Sequence, residues 1–151
     1  MANTTPEEIR LWGALTQKGV KVPEAVWSFW QEKFVAVLDG IAAVAEEKSL
    51  EGLSVEEARG IVERVFALNV FVRSIVKSEE RNVLEGGQLV METTIRQLIA
   101  HYIGNDLYKI ALISDVSGPD PEPVPAVNVA RILRNVAAIR EFLQKLKDVT
   151  R

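Results

Sequence analysis

The stretch Leu89 to Val116, LVMETTIRQLIAHYIGNDLYKIALISDV, constrains this chain more than any other: it contains no proline and holds the single histidine of the sequence. At about 100° per residue, Leu89, Ala100, Ile103, Leu107, Ile110 and Ala111 fall on one helical face. Leu98, Tyr108 and Leu112 run beside that face, and Ile95, Ile99 and Ile113 fill much of the remaining circumference. A helix so apolar cannot leave half its surface in water. It is either central in a bundle or covered by another chain.

The rest of the chain supplies neighbours for it. Thr5, Pro6 and Glu8 read as cap, first-turn proline and reciprocating glutamate of a leading helix whose apolar side is Ile9, Trp12 and Leu15, with Gly19 as terminator. Pro23 opens a second helix, in which Trp27, Phe34, Leu38, Ile41 and Ala45 recur at helical spacing, widened by Trp30 and Val37. After Gly52, the sequence SVEE places Ser54 and Glu57 as a capping box ahead of Ala58, Ile61, Val65, Leu68, Val72 and Ile75. That helix is expected to run on to Leu84, with Gly86 and Gly87 turning the chain.

Past the organising stretch, SGPDPEPVP, Ser117 to Pro125, cannot be helical because of its four prolines and reads as an acidic reversing loop. Its P-x-x-P spacing also fits a proline-recognition ligand, although nothing basic sits immediately beside it. Asn128 is the expected cap of a last helix with a broad apolar face from Val129 to Leu146, whose basic residues have a structural role as its solvated side. The fold class predicted is all-α: an elongated antiparallel four-helix bundle with a short additional N-terminal helix. One domain spans 1–151, with helices at 5–18, 23–48, 54–84, 88–116 and 128–148.

Composition narrows the function classes. There is no cysteine, which removes disulfides and thiolate chemistry. A net charge of -3 and a pI near 5.3 argue against indiscriminate nucleic-acid binding. No apolar run reaches the length of about 20 residues needed to span a membrane, and the polar, acidic beginning lacks a signal peptide's layout. A soluble, cytoplasmic protein is the expectation.

The candidate catalytic residues are His101 and Asn105, which share a helical face with Tyr108. A neutral imidazole is a nucleophile near pH 7 and can accept a phosphoryl group. Ala100 to Leu107, AHYIGNDL, resembles the phosphoacceptor box of sensor histidine kinases and related histidine phosphotransfer proteins. His101 stands at the phosphorylated histidine, Asn105 at the asparagine and Leu107 at the apolar position. The stretch beyond, with its proline-containing turn and second helix, is similar to that family's dimerising helical hairpin. Tyr102 replaces the family's acidic residue and Asp106 its proline, so the adjacent general base is missing. The sequence ends at Arg151 without a nucleotide-binding domain, so the resemblance implies a dimeric phosphotransfer protein or a degenerate scaffold rather than a complete kinase.

Other chemistry has less to stand on. A lone histidine makes a zinc site poor, the paired glutamates are sequence neighbours that diverge around a helix, and no Gly-x-Ser-x-Gly, Walker or His-Glu-x-x-His pattern occurs. No metal or cofactor is expected, although a ligand-sensing cavity with His101 or Tyr108 as a polar contact is an alternative. The leading expectation is a non-enzymatic helical interaction or structural protein, a self-associating subunit or adaptor whose partner is a second copy or another helical protein. Its interface candidates are Trp12, Trp27, Trp30, Leu98, Tyr102, Tyr108 and Leu112; for Trp27 and Trp30, core packing is the first expectation and an exposed aromatic interface the competing one.

Overall fold

Proline at position 6 has no amide hydrogen to leave unpaired, and it begins α1 (Pro6–Lys18). The computed structural model describes residues 6–19, 21–76, 83–84, 87–88 and 93–151, so the expected cap at Thr5 lies outside the described residues. Helix α1 stops as expected at Gly19, which takes φ 63° and donates its N–H to the Thr16 carbonyl. It buries Leu11 and Leu15.

The expected helix over 23–48 is one rod with a discontinuity. Pro23, at φ -60° and ψ 146°, precedes α2 (Glu24–Trp30), which passes through a π turn (Gln31–Val35) into α3 (Ala36–Glu47). The wide turn sits where Trp30, Phe34 and the incoming Phe71 pack with ring centroids 5.0–6.0 Å apart. Its apolar residues still reach the core: Trp27, Trp30, Phe34, Leu38, Ile41 and Ala45 are all buried.

The predicted capping box opens α4 (Val55–Val76): Ser54 N–H donates to Glu57 Oε1 at 2.9 Å, and Glu57 N–H donates to Ser54 Oγ at 3.1 Å. Those bonds hold the Glu57 carboxyl below its usual range, the Ser54 backbone contributing most. The expected helical limit at Leu84 is corrected. Val83–Leu84 forms a short strand, β1, paired antiparallel with β2, Gly87–Gln88, so Leu84 faces Gly87 and Gln88 is not the first turn of the next helix. Glycine is costly in a helix, and a ladder satisfies the backbone groups of Val83, Leu84, Gly87 and Gln88 instead. Residues 77–82, 85–86 and 89–92, including the predicted turn residue Gly86 and the predicted face position Leu89, lie outside the described residues.

The organising helix, α5 (Thr93–Ser114), is continuous and packs against α1, α4 and α6 of its own chain. Ile95, Leu98, Ile99, Ile103, Leu107 and Ile110 are inaccessible to solvent. Beyond it, Asp115 accepts hydrogen bonds from the Ser117 N–H and Oγ–H, which start the proline loop and hold the Asp115 carboxyl below its usual range. The far end of the loop is pinned as well. Leu53 and Val124 exchange backbone hydrogen bonds of 2.8 and 2.9 Å, a close approach permitted by Gly52 at φ 89°, where a Cβ would stand 2.4 Å from the Val124 carbonyl oxygen.

That bridge sets where the last helix starts. α6 (Ala126–Val149) begins directly after Pro125, two residues ahead of the expected cap at Asn128, which instead lies in the first turn and donates its N–H to the Pro125 carbonyl. The four rods close into a ring: α4 lies against α3 and α5, and α6 against α5 and α3, around one apolar core. The result is an elongated antiparallel four-helix bundle with the short α1 laid across α5, to which the β1–β2 hairpin and the Leu53–Val124 bridge add the strand pairing found among the described residues.

Candidate functional site

On α5, residues 101, 105, 108 and 112 are spaced four, three and four apart, which aligns them on one ridge. His101, Asn105, Tyr108 and Leu112 are all exposed there, Tyr108 at 63% and Leu112 at 56%. The two polar and two apolar candidates therefore share one surface.

At its first position the ridge meets α1. His101 Nε2 lies 3.0 Å from Glu8 Oε1, and the Glu8 side chain is largely covered, at 14% exposure. Trp12 Nε1–H donates to the Tyr102 hydroxyl at 3.2 Å. The Tyr102 hydroxyl stays protonated above its ordinary range, chiefly because burial disfavours its charged form; its hydrogen bond to Glu8 and the charge there act in the same direction, while the Trp12 donor opposes them. Tyr102 stacks on Phe142 of α6 at 4.8 Å and 17°, Trp12 meets Phe142 edge-on at 5.8 Å, and the Lys145 ammonium stands 4.2 Å over the Trp12 ring. Together these contacts clasp α1 to the α5–α6 pair.

Alongside the clasp, α5 and α6 leave a groove of about 450 Å³ whose walls include Asp106, Lys109, Asn135 and Glu141. Burial pushes the Asp106 carboxyl up, against the pull of Lys109 one turn on. Lys109 and Asn135 also border a second depression of about 350 Å³, completed by Leu112, Ile113, Arg131 and Arg134. The groove is open because no helix of this chain covers the outer side of α5 and α6 beyond the reach of α1 among the described residues.

The other interface candidates sit elsewhere. Trp27, Trp30 and Leu98 belong to the core of the single chain, and Trp27 and Trp30 bury their indole N–H groups with no hydrogen-bond partner among the described residues. Sequence reasoning missed Glu8 as the partner of His101, because the contact joins positions 93 residues apart and Glu8 already had a local explanation as a capping residue. It also read Arg131 and Arg134 as solvated helix face; only the fold shows them converging with Lys109 on one depression.

Chemically, the site offers one oriented imidazole, one covered carboxylate, an aromatic clasp and a groove with cations at its far end. Among the described residues no three His, Asp or Glu side chains gather in a metal-ligating group, and no helix is long and apolar enough to cross a membrane. No family model matches this chain, and no curated protein or solved structure matches it either. Function therefore has to be read from the geometry.

Proposed function

We propose that the protein is a non-enzymatic helical interaction protein that self-associates through the outer face of its α5–α6 pair. The observation that carries this reading is the open side of an otherwise closed ring: Tyr108 and Leu112 remain exposed beside a groove that the chain's own helices do not fill. Apolar side chains and a concave helix–helix groove are what a further helical surface packs against. Sedimentation equilibrium of the full chain over a wide concentration range tests it. The expected result is a reversible rise in mass with concentration, and a single monomeric species throughout would overturn self-association.

A second reading, histidine phosphotransfer at His101, is supported by one specific contact. The carboxylate missing beside the histidine in the sequence is supplied from α1 by Glu8. With Nε2–H donated to Glu8, Nδ1 carries the lone pair and can attack a phosphoaspartyl donor. The N–P bond forms as the acyl P–O bond breaks, the donor leaves as a carboxylate, and Glu8 stabilises the charge developing on the ring. Incubation with phosphorylated receiver proteins and phosphohistidine detection tests this reading. Label that persists in His101→Ala, or no label at all, overturns it.

A further inference from the structure

The depression at one end of the α5–α6 groove is lined by three cationic side chains and by no carboxylate. Lys109 on α5 and Arg131 and Arg134 on α6 converge on it; Lys109 also acts on the Asp106 carboxyl one turn before it, but among the described residues none of the three makes an ion pair within 4 Å. Three like charges around one concavity repel each other, and they attract an acidic occupant. The rim is apolar. Leu112 lines the depression, Tyr108 precedes it by one turn, and Val127 lies one turn ahead of Arg131 on α6 at 68% exposure.

At the same end of the bundle lies an acidic segment with matching properties. Ser117 through Pro123 are all exposed, Asp120 and Glu122 make no ion pair among the described residues, and the stretch contains no cation. Both ends of the segment are fixed, by the Asp115–Ser117 hydrogen bonds and by the Leu53–Val124 bridge. Its prolines restrict it further, so little conformational freedom is lost when it docks. The loop does not pair with its own depression in this structure: Val124 ties it to the α3–α4 turn, Val116 and Ser117 share a cleft with Arg59, Val62 and Glu63 of α4, and neither Asp120 nor Glu122 forms an ion pair with Lys109, Arg131 or Arg134 among the described residues.

We propose that the acidic proline loop of one copy seats in the Lys109–Arg131–Arg134 depression of a second copy, and that the second copy's loop returns the contact. This rests on the self-association reading and gives it a surface. Because loop and depression occupy the same end of the bundle, a two-fold axis near that end satisfies both contacts at once, as a closed dimer requires.

Charge reversal in the full chain tests it, read by sedimentation velocity with circular dichroism to confirm the fold. Asp120→Lys with Glu122→Lys, and separately Arg131→Glu with Arg134→Glu, should each weaken homodimerisation by at least about tenfold, since attraction becomes repulsion at both sites. Mixing the two variants should restore a heterodimer, and raising the salt should weaken the wild-type dimer. If the wild type dimerises and both variants dimerise equally well, the loop–depression contact is wrong while self-association stands. A wild type that stays monomeric overturns both. A monomer that binds a polyglutamate peptide, or an RNA, through Arg131 and Arg134 also overturns the second copy as occupant.

Discussion

Replacing Gly52 by alanine probes the clasp that fixes both the proline loop and the start of α6. Gly52 stands at φ 89°, and an added Cβ would lie 2.4 Å from the Val124 carbonyl oxygen, the acceptor of the Leu53 N–H. Two costs combine. An L side chain at positive φ is disfavoured by about 1–2 kcal/mol. Moving the Val124 carbonyl away weakens a bridge of two hydrogen bonds, each with a net value of about 0.5–1.5 kcal/mol. The expected loss is about 2–4 kcal/mol, with the denaturant slope unchanged. Gly118→Ala is the control: a Cβ there meets nothing within 4 Å and its φ is not positive, so it should stay within about 0.5 kcal/mol of wild type. Gly52→Asn separates the two costs, because asparagine tolerates positive φ better but carries the same Cβ. Urea unfolding followed by far-ultraviolet circular dichroism measures all three variants. Gly52→Ala with wild-type stability would refute the close approach of Gly52 to Val124.

Gly13→Ala in α1 and Gly104→Ala in α5 should each stabilise the protein by about 0.5–1 kcal/mol, since both sites are helical and a Cβ meets nothing within 4 Å; thermal unfolding reads the gain. Tyr102→Phe keeps the stack on Phe142 but removes the acceptor of the Trp12 N–H, so unfolding in urea should show a loss of about 1–2 kcal/mol and Trp12 fluorescence should change. For Asp106 the folded carboxyl titrates above its unfolded value. Its stabilising contribution is complete below the unfolded value, about 3.9, and is lost as pH rises through the raised folded value. Asp106→Asn should therefore remove that decline and be more stable than wild type at neutral pH. Glu57 has the opposite sign: its contribution is present above about 4.3 and is lost as pH falls through the lowered folded value, so Glu57→Gln should flatten the acid limb of a stability–pH curve.

What could be read from the sequence was local or periodic. The Ser54–Glu57 box involves residues three apart, and Gly19 acts within its own turn, so both were visible without tertiary information. The recurrence of Ile61, Val65, Leu68 and Val72 shows an apolar face wherever that face is buried. Periodicity does not say what covers the face. The same signal that put Trp27, Trp30 and Leu98 among the interface candidates is met by the chain's own core. The π turn leaves no mark in the pattern, because Trp27, Trp30, Phe34, Leu38, Ile41 and Ala45 keep three- and four-residue spacing through it. Asn128 has the side-chain chemistry of a cap, whereas α6 starts just after Val124, which is bridged to Leu53, 71 positions before it. The Glu8–His101 contact and the Lys109–Arg131–Arg134 cluster depend on how distant segments meet, which no local pattern records.

The central claim is that α5 is wrapped by α1, α4 and α6 of its own chain while its His101–Leu112 ridge faces outward. Native-state hydrogen exchange, resolved by residue and run at low and high protein concentration, tests it most directly. Amides of residues 98–110 should be the slowest in the molecule at both concentrations, exchanging through global unfolding and slowing further in the concentrated sample as self-association stabilises the native state, with α1 opening earlier on its own. Protection of α5 that appears only in concentrated samples, or that never exceeds that of α1, would contradict the account.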